Sequence, residues 1–359
     1  MLHVCDPLQE SCCFSLWFQF FEMALSLEEE IRRQRQQMHM TVYAQCISPN
    51  GKYLVAGNNY GTIAVFSITA SLSAEANKET WKPLVSFKAY DGAIYALVST
   101  EKFLISAGCG DIKGWAWTDV FQKNPKVSWS LSLPASSNFG AFETNALAYS
   151  TKDNVLYSGG GDCKVYAWDL ESGTKKETLS GHTDYVHCVS LYNQSQQLAS
   201  SAEDGSVRIW DARTSGEAVH IIEPHKHEEC ARPQHGKWVG CVSVDAGEEW
   251  LVCGGGPSLS LWHLRSLTPT VTFDAPNCCP QVVTFHEDSI ISGGSTPFVY
   301  HWNINGDPKT KVPCTATRVF SLAVNTESES NKVLCVSGNS SLIDVYTNFG
   351  YRAFSLDFC

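Results

Sequence analysis

The chain has 359 residues, of which 43% are hydrophobic and 18% charged, and its net charge is -11 at neutral pH. These proportions suit one large or two ordinary folded domains and exclude a disordered chain. The acidic balance disfavours direct binding to a nucleic-acid backbone, which attracts clustered lysine and arginine. The fifteen cysteines form no paired C-x-x-C frame, so we expect free thiols in a reducing compartment.

The N-terminal segment differs from the rest of the chain. Residues 12–21 are hydrophobic but too short to span a bilayer, and acidic rather than basic residues precede them. Neither a membrane span nor a signal peptide is therefore expected. We predict that residues 1–22 form a disordered extension, with Met23 as an alternative start.

A single helix is expected next. Residues 22–37 combine a capping box at Ser26 with acidic side chains four residues before arginines, an order that suits pairing and the helix dipole. The apolar face is thin, which leaves open a solvated helix or a helix that docks on a partner or on the rest of the chain. The predicted domains are thus the extension, the helix at 23–38 and one large domain at 39–359.

The rest of the chain repeats one pattern seven times. In each unit a large apolar residue is followed three positions later by a small residue and twelve positions later by an aromatic residue. The seven aromatic residues are Phe66, Trp117, Trp168, Trp210, Trp262, Trp302 and Tyr346. Their spacing of 40 to 52 residues matches a propeller blade, which has four strands. The sequence therefore predicts an all-β protein, a seven-bladed β-propeller with a short N-terminal helix.

Three units are longer than the others, and their extra residues are predicted to form surface loops. Polar, turn-rich stretches at 69–83, 118–143 and 213–237 are the candidates, and such loops often bind partners. Residues 351–356 alternate like a strand, whereas the first unit begins directly with its inner strand at about 41–47. We therefore expect the C-terminal segment to complete the last blade.

One unit contains residue types that also occur in hydrolase sites. The unit begins with a Gly-His pair and ends with a Trp-Asp pair, a spacing that resembles the WD-repeat (WD40) family. The four residues in question are His182, Ser200, Asp204 and Trp210. In that family such residues form a buried hydrogen-bonded tetrad that fixes one blade. Because buried polar groups must satisfy one another, we expect a structural rather than a catalytic role here.

The stretch before Trp238 is the favoured partner-binding loop, since it is long and mixes charged and aromatic side chains. Its candidate contact residues are Lys226, His227, Glu228, Glu229 and Trp238. The histidines here, with Cys230, could also ligate zinc, but their spacing matches no familiar finger. No nucleotide or zinc-protease motif is present, so neither a metal nor another cofactor is expected.

Seven short stretches together resemble one family of WD-repeat proteins. They are AGNNYG (56–61), GHTDYVHC (181–188), KHEEC (226–230), GKWVGC (236–241), CGGGP (253–257), LWHLR (261–265) and GYRAFS (350–355). From about residue 38 onward the chain resembles the subunit 6 family of the THO complex. The resemblance implies a nuclear, speckle-associated and non-catalytic scaffold that supports THO oligomerisation and couples transcription and splicing to mRNA export. It also implies other THO subunits as partners, with a DEAD-box RNA helicase, an export adaptor and mRNA reached through the complex.

Two other function classes remain open. Trp210 to Arg213 fits the W-D-x-R motif of substrate receptors for a cullin-4 ubiquitin ligase, in which Arg213 would contact the adaptor. A propeller enzyme would need carboxylates, histidines or metal ligands converging on the central channel. The order of residues along the chain does not show which side chains meet there.

Overall fold

The structure, a computed structural model, describes residues 27–134, 142–214, 216–327 and 329–359. It divides into an N-terminal unit that ends at Met40 and a second unit, Thr41–Cys359. In the first unit residues 27–38 are helical (α1), in agreement with the predicted helix. Arg33 Nη1 lies 3.7 Å from Glu30 Oε2, an i,i+3 pair instead of the predicted i,i+4 pairs. The capping box at Ser26 lies outside the described residues, as does the extension.

The second unit is the predicted seven-bladed propeller. Seven antiparallel sheets have four strands each, hydrogen-bonded in chain order from the first strand to the fourth. The first strand of each blade contacts the first strand of the next, and that of blade 7 contacts that of blade 1, so the ring closes. No helix in the described ranges is both long and apolar enough to cross a bilayer.

The strands follow one another in blade order. Blade 1 has β1 (Val42–Ile47), β2 (Tyr53–Asn58), β3 (Thr62–Ser67) and β4 (Val85–Lys88). Blade 2 has β5 (Ile94–Ser99), β6 (Phe103–Gly108), β7 (Ile112–Ala116) and β8 (Trp129–Leu131). Blade 3 has β9 (Thr144–Ser150), β10 (Val155–Gly160), β11 (Lys164–Asp169) and β12 (Thr174–Ser180). Blade 4 has β13 (Val186–Leu191), β14 (Gln197–Ala202), β15 (Val207–Asp211) and β16 (Ala218–Ile222).

The remaining blades have the same form. Blade 5 has β17 (Val239–Val244), β18 (Trp250–Gly255), β19 (Ser260–His263) and β20 (Thr268–Thr272). Blade 6 has β21 (Pro280–His286), β22 (Ser289–Gly294), β23 (Phe298–Asn303) and β24 (Pro308–Pro313). Blade 7 has β25 (Val319–Asn325), β26 (Val333–Gly338), β27 (Leu342–Thr347) and β28 (Tyr351–Asp357). Two four-residue helices, α2 (Ile68–Ser71) and α3 (Trp117–Val120), lie in connections, so α1 is not the only helix.

The aromatic anchor of blade 2 differs from the predicted one. Leu104 of β6 faces Trp115, whereas the predicted anchor, Trp117, begins α3 after the strand has ended. In blade 5, Leu251 faces Trp262, one position after the apolar residue that the repeat predicted. The hairpins of these two blades are one residue shorter than the others, so a fixed twelve-residue offset slips by one.

In several units, packing between blades limits the size of the small residue. A Cβ on Gly57 would lie 2.6 Å from Ile94, and one on Gly159 would lie 2.6 Å from Val186. Ile94 and Val186 each begin the first strand of the following blade. At these two positions the size limit therefore comes from the neighbouring blade.

The connection 68–84 contains the predicted loop 69–83, whereas strands interrupt the other two predicted loops. The stretches 118–143 and 213–237 were not loops throughout, since they contain β8 and β16. The actual insertions are 68–84 and 117–128, between third and fourth strands, and 223–238, between blade 4 and blade 5. Because neighbouring strands are antiparallel, the first two emerge on one face of the ring and the third on the other.

The C-terminal strand closes the ring as predicted. β28 pairs with β27 and is the fourth strand of blade 7, while β1 begins blade 1. The Trp81 ring, in the blade 1 insertion, stacks on Phe354 of β28 with centroids 5.3 Å apart and planes within 2°. Gln45 Nε2 in β1 donates to Ser337 Oγ at 2.7 Å, which joins the first blade to the last.

The cysteines are consistent with the expected free thiols. None of the twelve cysteines in the described ranges forms a disulfide. Burial raises the pKa of Cys46, Cys253 and Cys335 to about 12, which keeps these thiols protonated and unreactive at neutral pH.

His301 in β23 gives the fold a predicted dependence on pH. It occupies the position before the aromatic anchor, where blades 1 and 7 have Val65 and Val345, and its buried Nε2 has no hydrogen-bond partner among the described residues. Burial, and then Lys309 and His286, lower its pKa from 6.5 to about 4. As the pH falls from 6.5 towards 4, His301 therefore becomes protonated in the unfolded chain while it stays neutral in the folded chain, and the folded state loses stability.

We expect this histidine to cost about 2 kcal/mol of stability across that interval. Urea unfolding of the wild type and of His301→Val at a series of pH values measures it. The variant should lose part of the slope between pH 6.5 and 4 and should be at least as stable at pH 7. Identical slopes in the two proteins would contradict the assignment.

Candidate interaction surfaces and the buried tetrad

The structure brings the four signature residues of blade 4 into one hydrogen-bonded chain. His182 Nδ1 lies 2.9 Å from Asp204 Oδ2, and its Nε2 lies 2.8 Å from Ser200 Oγ. Trp210 Nε1 donates to the same Ser200 oxygen at 2.8 Å. This geometry fits the tautomer with a proton on Nδ1 donated to Asp204, while the serine hydroxyl donates to Nε2. Each polar group thereby has a partner inside the blade.

The tetrad is closed to solvent. The side chain of His182 is 1% exposed and that of Asp204 is 6% exposed, and Ser200 and Trp210 are buried. Burial alone would raise the pKa of Asp204, but hydrogen bonds from His182 and Ser206 bring it well below its ordinary value. The Ser200 hydroxyl faces a tryptophan instead of an open cleft, so the arrangement stabilises a blade and presents no nucleophile.

Blade 2 reproduces part of this chain with other residues. Trp115 Nε1 donates to Ser106 Oγ at 2.9 Å, and the Tyr90 hydroxyl lies 3.1 Å from the same oxygen. Tyr90 therefore occupies the place that His182 has in blade 4. Indole–serine bonds of the same kind are Trp168–Ser158 and Trp302–Ser292.

The connection between blade 4 and blade 5, residues 223–238, is a rigid segment with two 3-10 turns, Pro224–Lys226 and Pro233–His235. Arg232 anchors it: Nε donates to Gly256 O at 2.9 Å, and Nη1 donates to Cys278 O at 2.9 Å. Burial lowers the pKa of Arg232, yet five N–H donors facing backbone carbonyls suit a guanidinium. The sequence analysis missed this residue, because an arginine within a polar loop has no distinguishing pattern.

Three of the candidate contact residues on this segment project into solvent. Lys226, Glu228 and Glu229 are exposed, and Lys226 Nζ pairs with Glu223 Oε2 at 2.6 Å. The His227 ring instead packs edge-on against Trp262, with centroids 4.9 Å apart. The segment thus presents charge on a fixed backbone.

The histidines of this segment do not converge on one point. The His225 ring lies 3.2 Å from Gly205 O, and Cys230 is fully buried. Across the described part of the chain, no group of three or more His, Cys, Asp or Glu side chains is placed to hold a metal ion.

Arg213 lies apart from these residues. It follows the end of β15, whereas the 223–238 segment contacts the turn at the beginning of that strand, so the two lie on opposite faces of blade 4. Its Nε donates to Asp211 Oδ1 at 2.8 Å, and this bond is the main cause that lowers the pKa of Asp211. The six predicted contact residues therefore do not form one site.

The channel mouth is a cavity that the sequence analysis did not identify. A space of about 510 Å³ is lined by residues from all seven blades. Every first strand has a β-bulge at its second residue, and each of these seven residues lines the cavity. We call them the channel-mouth ring: Tyr43, Tyr95, Asn145, His187, Gly240, Gln281 and Phe320. Trp238 covers Gly240, where a Cβ would lie 2.7 Å from the indole.

Two carboxylates and a histidine meet at this mouth. Glu143 and Glu203 line the cavity beside the ring, and His187 Nε2 lies 2.8 Å from Glu203 Oε2. The repeat pattern gives no sign of these carboxylates, because Glu143 and Glu203 stand in connections between strands, outside the repeated register.

Comparison with known proteins gives two matching domain models and several relatives that match nearly the whole chain. The model for the WD domain, G-beta repeat, matches residues 32–67, and that for the N-terminal domain of nucleolar protein 10-like proteins matches 141–347. The chain is 48% identical to the THO complex subunit 6 homolog of Rattus norvegicus, over 92% of this chain and 96% of the relative. It is 47% identical to THO complex subunit 6 of Homo sapiens over the same shares. The chain belongs to the THO complex subunit 6 family.

Membership of the subunit 6 family confirms the resemblance drawn from the seven short stretches. Identity to the Danio rerio homolog is 46% over 89% of this chain and 98% of the relative. Coverage of nearly the whole relative means that the match includes the propeller and is not limited to one repeat. This THO subunit 6 family member is therefore a WD-repeat protein.

Proposed function

We propose that the chain is a non-catalytic scaffold of the nuclear THO complex, which supports THO oligomerisation and couples transcription and splicing to mRNA export. The observation that carries this proposal is the closure of the tetrad. In the set of residues that resembles a hydrolase site, the side chain of His182 is 1% exposed and that of Asp204 is 6% exposed. Their hydrogen bonds stabilise the blade. Exposed charge lies on rigid connections, which suits the binding of proteins.

The segment 223–238 is the proposed contact with another THO subunit. Arg232 holds its backbone, so Glu228 and Glu229 need little ordering when a partner binds. The acidic pair favours a basic patch on that partner. The helicase, the export adaptor and mRNA are then reached through the assembled complex, since the net charge of -11 disfavours direct contact with RNA.

Charge reversal tests this contact. We expect Glu228→Lys with Glu229→Lys to reduce recovery of the other THO subunits by about tenfold or more in affinity purification from nuclear extract, because attraction becomes repulsion. The wild type should recover those subunits, and their absence would contradict the proposal. A matched control is Glu101→Lys with Glu171→Lys, which alters two exposed carboxylates elsewhere by the same charge. Equal recovery with both double variants would move the contact away from this segment.

A cullin-4 substrate receptor is the alternative function. Its supporting observation is that the Arg213 side chain, 64% exposed, is held in place by Asp211 and is accessible from solvent. In the same purification, an adaptor that is recovered with the wild type and lost with Arg213→Ala would favour this function over the scaffold.

An enzymatic role has less support. The channel mouth does bring Glu143, His187 and Glu203 together, but no serine, threonine or cysteine is among the described residues that line it. His187 is paired with a carboxylate and is not placed against a nucleophile.

A further inference from the structure

The channel-mouth ring is uneven around the axis. Phe320, Tyr43 and Tyr95, from blades 7, 1 and 2, form a continuous aromatic wall, with the Tyr43 centroid 5.2 Å from Phe320 and 5.4 Å from Tyr95. The opposite side has Asn145 and His187, followed by Trp238 over Gly240. Aromatic faces carry partial negative charge and attract cations.

The charged groups of the site also favour a cation. Glu143 and Glu203 are the acidic groups of the lining, and no lysine or arginine is among the described residues that line the cavity. The Tyr95 phenol stays neutral, because burial, with the nearby Glu143, raises its pKa to about 12. Two carboxylates beside an aromatic wall repel phosphate, which excludes a nucleic-acid backbone, and attract a cation.

The bulges explain why these side chains point into the channel. A bulged residue is left out of the strand pairing, and its side chain is re-aimed relative to its neighbours. Because all seven first strands bulge at the same position, six side chains and Gly240 face one axis on a rigid scaffold. Binding there needs little reorganisation of the backbone.

We propose that the channel mouth binds an arginine side chain presented by an extended segment of a partner protein. A planar guanidinium can stack on the aromatic wall while its fork of N–H donors reaches the carboxylates, whereas the lysine ammonium is a strongly hydrated point charge. The volume of about 510 Å³ is within the usual range for ligand pockets and exceeds what one side chain needs. Residues that flank the arginine therefore contact the rim.

The rim is suited to such flanking residues. Tyr185 is 49% exposed and Trp238 is half-buried, and both line the cavity. Exposed tyrosine and tryptophan side chains are frequent anchors in protein interfaces. The inference rests on the proposed scaffold role and adds the chemistry of one partner.

Peptide pools test the inference with the purified full-length chain. Immobilised nonapeptides of random sequence have a fixed central residue, which is arginine, lysine, citrulline or glutamate. We expect the arginine pool to retain at least about tenfold more protein than the citrulline pool, because citrulline keeps the shape and loses the charge. Retention on the glutamate pool should be lowest. Equal retention on the arginine and citrulline pools, or greater retention on the lysine pool, would overturn the proposal.

Two variants locate the binding. Glu143→Gln with Glu203→Gln, and separately Tyr43→Leu, should lower retention on the arginine pool to the citrulline level while the thermal melting curve stays that of a folded propeller. The control is Glu101→Gln with Glu171→Gln, which removes the same charge from exposed positions elsewhere and should bind like the wild type. Undiminished retention by the Glu143/Glu203 variant would place the binding elsewhere. A wild-type chain that recovers the other THO subunits but shows no preference for the arginine pool would overturn this inference and leave the scaffold role standing.

Discussion

Removal of residues 350–359 is expected to destabilise the whole ring by about 5 kcal/mol or more and to lower its melting temperature by about 10 °C or more. The deletion removes β28, whose Leu356 is 1% exposed, and Phe358, which packs on Phe66 of blade 1. It also leaves the edge of β27 unpaired, which invites aggregation. Thermal unfolding followed by circular dichroism measures the change.

The matched control is a chain that lacks Cys359 alone. Cys359 is exposed and lies beyond the end of β28, so this protein should melt like the wild type. If the ten-residue deletion also melted like the wild type, blade 7 would not depend on β28, and the closure described above would be incorrect.

Replacement of Trp210 by alanine is expected to cost about 3–5 kcal/mol of unfolding free energy. The side chain is 1% exposed, so its loss leaves a cavity, and Ser200 loses the donor that lies 2.8 Å away. Trp210→Phe should cost less, about 1–3 kcal/mol, because most of the buried volume remains and mainly the indole N–H is lost. Chemical denaturation of both variants provides the measurement.

Trp117→Ala is the comparison for this experiment. Trp117 is only partly buried and begins a short helix, although a fixed repeat offset made it the anchor of blade 2. Trp117→Ala should lower the unfolding free energy by clearly less than Trp210→Ala does. A cost below about 1 kcal/mol for Trp210→Ala would contradict a structural role for the tetrad.

Much of the architecture could be predicted because the same packing contacts recur in each blade. A buried aromatic residue must face an apolar residue across a hairpin, as Trp210 faces Leu198. A small residue must leave room for a side chain of the next blade, as Gly159 does for Val186. Such constraints recur at nearly fixed spacing. The prediction failed at Trp117 because a hairpin shortened by one residue shifts the spacing without changing the packing.

The interaction surfaces were less accessible to sequence reasoning, because they depend on residues that are distant in the chain. Arg232 is explained only by the carbonyl groups of blade 5 that surround it, and Glu143 and Glu203, which are far apart in the chain, line one cavity only in the folded protein. Arg213 and Glu228 are close in the chain. They lie on opposite faces of the ring, because β16 runs from one face to the other between Arg213 and the 223–238 segment. Periodicity identifies the scaffold, whereas the positions of these groups follow from the closed ring.

The bond between Gln45 and the last blade has a consequence for how the protein is made. Gln45 Nε2 donates to Ser321 O at 3.2 Å across a sequence separation of 276 residues. At about 5–20 residues per second, a ribosome needs roughly 15–55 s to synthesise that interval. Throughout this time the first blade lacks the neighbour that will cover its flank, where Phe66 is fully buried in the finished ring and packs on Phe358. Translation therefore sets the earliest moment of closure, and the nascent chain is a natural client for chaperones until then.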